Sequence, residues 1–135
     1  MNIQIRKALP ADINSIAEFQ VEMAWETENF KLNQETVIQG VSNVFKSDRL
    51  GNYYVAQINN EVVASLLTTY EWSDWRNGTV LWIQSVYVKK EFRRLGVYSK
   101  MYDYIKDLVA NDNSLCGIRL YVDKTNTKAQ TVYQN

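Results

Sequence analysis

The sequence predicts a mixed α+β fold in a single domain that covers residues 1–135. Three consecutive β-rich segments lie between residues 52 and 88 and are joined by short turns, which is typical of an antiparallel meander. Segments with helical periodicity lie before and after this meander. The predicted order is β-α-α-β-β-β-α-β-α, which differs from the strict strand–helix alternation of a doubly wound parallel sheet.

The chain begins with a predicted strand and two predicted helices. Ile3–Arg6 alternates apolar and polar residues, as a half-buried strand does. Pro10 favours the start of a helix because its fixed φ suits the first turn. A second helix is predicted over Gln34–Phe45. In the first helix, three glutamates repeat every four residues opposite the apolar face, and we interpret them as a solvated face: Glu18, Glu22 and Glu26.

The meander has three predicted strands. Asn52–Ile58 is rich in aromatic and β-branched residues. Asn59-Asn60 predicts a tight turn because Asn tolerates positive φ. Glu61–Trp72 returns from that turn, a polar segment follows, and Thr79–Val88 forms the third strand.

A basic loop follows the meander and leads into a strongly amphipathic helix that begins after Gly96. The next strand is predicted over Gly117–Val122. A last helix begins near Asn126 and is still running at Asn135.

Composition excludes several classes of protein. The chain has no histidine, which excludes Ser-His and Cys-His triads and His-based zinc sites, and we expect no metal. It has one cysteine, Cys116, so no internal disulfide can form and a cytoplasmic location is expected. No apolar run approaches ~18 residues, so no membrane span is expected.

Charge is unevenly distributed although the formal net charge is zero. Residues 1–88 carry 6 basic and 10 acidic side chains, whereas residues 89–135 carry 9 basic and 5 acidic ones. Such a split suits an anion at one end and a cation at the other, although chance scatter of surface charge is an equal alternative. Nucleic-acid binding is disfavoured because no basic stripe runs along the whole chain.

The loop before the amphipathic helix has the properties of a phosphate site. Gly96 stands where the loop becomes a helix, so an oxygen can approach the backbone without meeting a Cβ. The first amides of a helix lack internal partners, and the helix dipole adds partial positive charge. Arg93 and Arg94 add full charges. A phosphate or pyrophosphate is the ligand that such a place suits, although the same pattern often only caps a helix.

Two motifs together give a family resemblance. Arg93-x-x-Gly96-x-Tyr98 follows a predicted strand and opens a helix, and Asn126-x-x-Ala129-x-x-x-Tyr133 follows a second strand. This pair resembles the GCN5-related N-acetyltransferase (GNAT) superfamily over nearly the whole chain. The resemblance implies a central mixed, mostly antiparallel sheet flanked by helices.

The resemblance also implies a reaction. An acetyl group would pass from acetyl-CoA, the cosubstrate, to the primary amine of a small-molecule or peptide acceptor by direct attack. Val88 would polarise the thioester carbonyl through its backbone amide, and Tyr133 would protonate the departing thiolate as general acid. CoA would contact the strand before the loop, the loop and the next motif: Val86, Tyr87, Val88, Arg93, Arg94, Leu95, Gly96, Val97, Tyr98, Ser99 and Asn126.

The chain departs from the family pattern at three places. Tyr98 replaces a small residue of the loop motif. The two usual positions for a carboxylate base hold Trp82 and Tyr121. Water, an already neutral amine or an acid elsewhere would then serve, and the acidic candidates are Glu26, Glu28 and Glu71. The chain also ends two residues after Tyr133, where the family continues into closing strands. We therefore expect either a truncated form or a homodimer that pairs along the exposed edge.

The acceptor side is less well defined by sequence. Acidic groups near aromatic rings would attract a protonated amine, and this describes Trp25, Glu26, Glu28 and Trp72, with Phe30, Tyr70 and Trp75 nearby. Ordinary surface and core aromatics are an equal alternative. Likewise, Asn126 could only cap a helix and Tyr133 could only pack. A non-catalytic acyl-CoA-binding module or a protein-interaction module of the same fold is the alternative function.

Overall fold

The computed structural model describes residues 1–121, in which a five-stranded sheet is flanked by three helices. The strands are β1 (Ile3–Lys7), β2 (Asn52–Ile58), β3 (Glu61–Ser73), β4 (Gly78–Val88) and β5 (Leu115–Leu120). The helices are α1 (Ile13–Glu28), α2 (Gln34–Phe45) and α3 (Val97–Ala110), with short 3-10 turns at Pro10–Asp12 and Lys90–Phe92.

The sheet has the order β1-β2-β3-β4-β5, and neighbours are antiparallel except for the parallel pair of β4 and β5. The predicted α+β class is therefore confirmed, as are the antiparallel meander and the first eight predicted elements. The predicted last helix lies outside the described residues, and so do the two motif residues Asn126 and Tyr133.

β5 differs from its predicted bounds. The strand runs over Leu115–Leu120 rather than from Gly117, because its pairing with β4 already begins at Leu115, opposite Thr79. The Thr79 N–H donates to the Ser114 carbonyl at 2.9 Å, just before the first ladder pair, Thr79 with Leu115. Long-range pairing thus extends the strand backwards beyond its β-rich centre.

The sheet separates two apolar layers. On one face, α3 buries Met101 and Ile105 completely against a core that includes Leu81 and Ile83. Fully burying a side chain of this size contributes about 1.5–3 kcal/mol. The other face packs on the first two helices through Ile16, Ala17, Val41, Tyr53 and Val55. The amphipathic faces predicted for the helices are those that the sheet covers.

A buried ion pair fixes the start of α1. The Asp12 carboxylate accepts from Arg6 Nη1 at 2.8 Å and from the Leu9 N–H at 2.7 Å. Burial alone would raise the pKa of Asp12, but the hydrogen bonds from Arg6 and Leu9 outweigh it and hold the pKa below its ordinary value. Asp12 therefore ties α1 to β1 as an ionised group.

Candidate active site

The ladder between β4 and β5 ends before β4 does. Pairing runs from Thr79 with Leu115 to Ile83 with Leu120, and the Tyr121 N–H donates to the Ile83 carbonyl at 3.0 Å. Within residues 1–121, no strand pairs with residues 84–88 of β4 on this side. We call these residues the open edge of β4. The backbone groups that these residues direct away from β3, apart from the Val88 carbonyl that Arg93 holds, are available to an extended ligand that would pair as an additional strand.

A β-bulge lies where the two strands part. Gln84 pairs with Leu67 and Tyr87 pairs with Ser65, so Ser85 and Val86 together oppose the single residue between those two on β3. Ser85 has a φ of 54°, in the left-handed region. Because a bulge bends its strand and increases the local twist, it directs the end of β4 away from β5.

Alternation of the backbone orients Val88. The Lys89 N–H donates to the Val63 carbonyl on β3 at 2.8 Å. Since successive residues of a strand direct their backbone groups to opposite sides, the Val88 N–H and carbonyl face the open edge. The Val88 carbonyl accepts a hydrogen bond from Arg93 Nε at 2.8 Å, which agrees with a carbonyl directed away from β3.

The loop after β4 leads directly into the N-terminus of α3. Arg94 has a φ of 66° and Gly96, the N-cap residue, has a φ of 82°. Among residues 1–121 no side chain caps the helix, and a Cβ on Gly96 would meet no heavy atom within 4 Å. The N–H groups of the first helical turn lack intrahelical partners and lie at the positive end of the helix dipole, an arrangement that suits an anion.

Side chains around this turn divide between core and surface. Val97 is buried under the helix and Leu95 is 45% exposed. Tyr98 is partly buried, and its ring lies 6.3 Å from that of Tyr102. The bulky residue at this position of the motif therefore packs along the helix. Arg94 and Ser99 are exposed.

Arg93 is held by groups of the protein itself. Its Nη2 donates to Glu26 Oε2 at 2.7 Å, and its Cζ lies 5.3 Å from the centre of the Tyr87 ring. The Tyr87 hydroxyl donates to the other oxygen of Glu26 at 3.0 Å. Burial, followed by the Glu26 hydrogen bond, raises the pKa of Tyr87 to about 12, so the phenol stays protonated.

The three α1 glutamates are all exposed, which agrees with their interpretation as a solvated face. The Glu26 carboxylate also receives two hydrogen bonds from the region after the bulge. The reason is that α1 crosses the end of β4, where the Phe19 and Tyr87 rings stack at 5.4 Å. Helical periodicity locates the polar face of α1 but not the residues that contact its last turn.

A second carboxylate lies near the point where β4 and β5 part. Trp82, at one of the positions where the family has its acid, donates its indole N–H to Glu71 on β3. The Arg119 guanidinium lies 6.0 Å from the Trp82 ring and 4.0 Å from Glu71 Oε1. Trp82 is one residue before Ile83, where the β4–β5 ladder ends. An acidic side chain is thus present beside the expected position, but on the neighbouring strand.

The predicted acceptor residues do not all come together. Trp25, Glu26 and Glu28 lie on the last turns of α1, and Trp25 is 58% exposed. Trp72 lies seven residues along β3 from Ser65, the partner of Tyr87. At the rise of a strand this is roughly 23 Å. The prediction that Trp72 and Glu26 share one site does not agree with this register.

The described part of the chain contains neither a membrane-spanning helix nor a metal-binding cluster. No helix of residues 1–121 is long and apolar enough to cross a membrane. The same residues contain no group of three or more Cys, Asp and Glu side chains that could hold a metal ion.

Comparison with known proteins decides the family. Residues 11–135 match the acetyltransferase (GNAT) family. The chain belongs to the GNAT family. A structure described as a possible acetyltransferase from Clostridium difficile 630 is 43% identical, with a TM-score of 0.90, and the match covers 99% of this chain and 88% of that one. No curated protein matches the chain.

More distant GNAT structures share the fold. A predicted acetyltransferase from Clostridium acetobutylicum with acetyl-CoA is 18% identical (TM-score 0.74, 99% of this chain and 90% of that one). The aminoglycoside N-acetyltransferase AAC(6')-Iy in complex with CoA is 12% identical (TM-score 0.79, 98% and 85%). The predicted family and fold are therefore confirmed, whereas the individual site residues remain predictions.

Proposed function

We propose that this GNAT protein is an acetyl-CoA-dependent N-acetyltransferase that acts on a primary amine. The observation that carries the proposal is the continuity of the open edge of β4 with the loop and the N-terminus of α3. An extended amide-containing arm can pair along such an edge while a pyrophosphate occupies the helix end. CoA has both parts, and GNAT structures with CoA and acetyl-CoA share this fold.

The residues present suit CoA. Val86, Tyr87 and Val88 supply the strand edge, and the amides of residues 94–99 supply the anion site. Arg94 is exposed beside them and adds a positive charge. Asn126, outside the described residues, is proposed at the pantetheine end. Acetyl-CoA itself supplies an activated acyl group as a thioester.

The proposal has three chemical steps. The Val88 N–H, directed to the open edge, donates to the thioester carbonyl as negative charge develops on its oxygen. Tyr133 returns a proton to the departing thiolate, a role that suits a phenol with a pKa of about 10. Water takes the proton of the incoming ammonium, because Glu71 lies seven residues along β3 from Ala64, the partner of Val88, which is roughly 23 Å at the rise of a strand. Glu26 is also unsuited to this third step because Arg93 and Tyr87 already occupy its oxygens.

The acceptor is a small-molecule or peptide amine. The acidic side chains of the last turns of α1 would attract a protonated amine. Among the structures with this fold, one is an aminoglycoside acetyltransferase in complex with sisomicin, 15% identical. We also propose a cytoplasmic location, which a lone cysteine favours, and a homodimer as the assembly.

Two measurements on the purified protein test the proposal. Titration calorimetry with CoA should show saturable binding, and release of free thiol from acetyl-CoA should depend on an added amine. Saturable CoA binding with no thiol release across a broad amine panel would instead indicate a non-catalytic CoA-binding module. The tryptophan at position 82 is the observation that favours this second candidate.

A further inference from the structure

Arg93 connects three parts of the fold that are distant in sequence. Through Nε it holds the Val88 carbonyl at the end of β4, and through Nη2 it holds Glu26, which is 67 residues away on α1. Its own backbone begins the segment that leads into α3. We call the Arg93 and Glu26 side chains, with their shared contact to Tyr87, the Glu26–Arg93 clasp.

The clasp lies at the surface, with the Arg93 and Glu26 side chains 38% and 26% exposed, but it makes more contacts than an ordinary surface ion pair. Exposed pairs contribute little because two long side chains must be ordered for one contact. Here the carboxylate uses both oxygens, the guanidinium makes two hydrogen bonds, and the Tyr87 ring lies under it at 5.3 Å. Because its partners belong to the helix, the strand and the loop, the geometry of each part depends on the other two.

The same contacts argue against two simpler roles. Arg93 has its charge balanced by Glu26 at 2.7 Å, whereas Arg94 next to it is exposed and has a left-handed backbone. Arg94 is therefore the better-placed arginine for a phosphate. Glu26, with both oxygens engaged, is likewise poorly suited to bind an acceptor ammonium.

We propose that Glu26 and Arg93 are positioning residues for CoA: the clasp fixes the loop of residues 93–99 against α1, so that Glu26 controls CoA affinity without contacting CoA. This inference rests on the proposed function. It also links the two halves of the site, because the last turn of α1, where Trp25 and Glu28 lie, is the wall proposed for the acceptor. Movement of the last turn of α1 would therefore move the loop, because the Glu26 carboxylate joins the two.

The test measures equilibrium CoA binding by calorimetry in the absence of any amine acceptor. Glu26→Gln and Arg93→Lys should each weaken CoA binding about fivefold or more, and the double variant should be no weaker than the worse single variant. Arg93→Lys keeps the charge but loses the paired geometry. Glu18→Gln, an exposed glutamate on the same helix, is the matched control and should bind as the wild type does.

Hydrogen exchange of the CoA-free protein gives an independent readout. Glu26→Gln should speed exchange in residues 93–99 and leave the amides of β2 unchanged, whereas a general loss of stability would speed both. This experiment stays informative if one variant binds too weakly for calorimetry.

The outcomes separate the clasp from the proposed function. Wild-type protein that does not bind CoA would overturn both. Wild-type binding with unchanged CoA affinity in Glu26→Gln would overturn the clasp alone, and a rise confined to the acceptor KM would identify Glu26 as an acceptor ligand instead. Wild-type affinity in Arg93→Lys would show that charge alone suffices, against the proposed geometry.

Discussion

Trp82 on β4 donates its indole N–H to the Glu71 carboxylate on β3, so the two side chains form one unit beside the point where β4 and β5 part. Trp82 occupies a position where an acid would be expected from the family resemblance, and its hydrogen-bond partner is a carboxylate on the adjacent strand. The indole orients the carboxylate, and Arg119 lies next to both.

Glu71→Gln should leave both kcat and CoA affinity within about twofold of the wild-type values, because the carboxylate lies seven residues along β3 from the partner of Val88, roughly 23 Å at the rise of a strand. Steady-state thiol release and calorimetry would measure the two quantities. Glu35→Gln, at the exposed start of α2, is the control. A loss of kcat of about tenfold or more that shrinks as pH is raised would identify Glu71 as the base and contradict proton removal by water.

Gly96→Val should weaken CoA binding tenfold or more. The space before Gly96 is open, and a branched side chain would occupy it, while φ at 82° disfavours any β-branched residue. Gly40→Ala on α2 is a suitable control because a Cβ there also meets nothing within 4 Å. Unchanged CoA affinity in a folded Gly96→Val protein would remove the anion site from this loop.

Arg94→Ala should cause a smaller loss of CoA affinity, and the loss should shrink at high salt because an exposed charge acts through Coulomb attraction. Calorimetry at about 0.05 M and 0.5 M salt would show this. The Glu26→Gln effect should persist at both salt concentrations, since it acts through loop geometry. Equal salt sensitivity of the two variants would contradict that distinction.

Asp12→Asn should reduce the free energy of unfolding by about 1–3 kcal/mol at pH 7, because it breaks a buried, charge-assisted contact with Arg6. The folded pKa of Asp12 lies below its ordinary value, so its stabilisation is complete above that value and is lost as pH falls through the folded pKa. Denaturant unfolding of the wild type and of Asp12→Asn at about pH 7 and about pH 3 should therefore show a difference in the free energy of unfolding that is smaller in acid. A constant difference would exclude ionisation as the cause.

Local signals were enough to predict most of the fold. The Asn59-Asn60 turn was predicted from Asn tolerance of positive φ, and the structure gives φ of 50° and 64° there. β2 and α2 have their predicted bounds because β-branched content and apolar periodicity change sharply at their ends. The phosphate-site prediction for the loop used the same kind of local information.

The features that sequence reasoning missed depend on register and long-range contact. Ser85 shows no preference that would identify a left-handed bulge residue, because its conformation follows from the pairing of β4 with β3. The bond between Glu26 and Arg93 spans 67 residues and requires α1 to cross β4. Trp72 was grouped with Glu26 by chemistry alone, and only the ladder shows how far apart the two residues lie.

The open edge of β4 has a consequence for handling the protein. A row of unpaired strand amides and carbonyls accepts any extended chain, including the same edge of another molecule. A ligand that pairs along residues 84–88 would cover this row, so CoA should act as a solubilising additive. Concentrated protein without ligand should form light-scattering aggregates sooner than protein stored with CoA. CoA should not protect the Gly96→Val variant, because that variant binds CoA weakly.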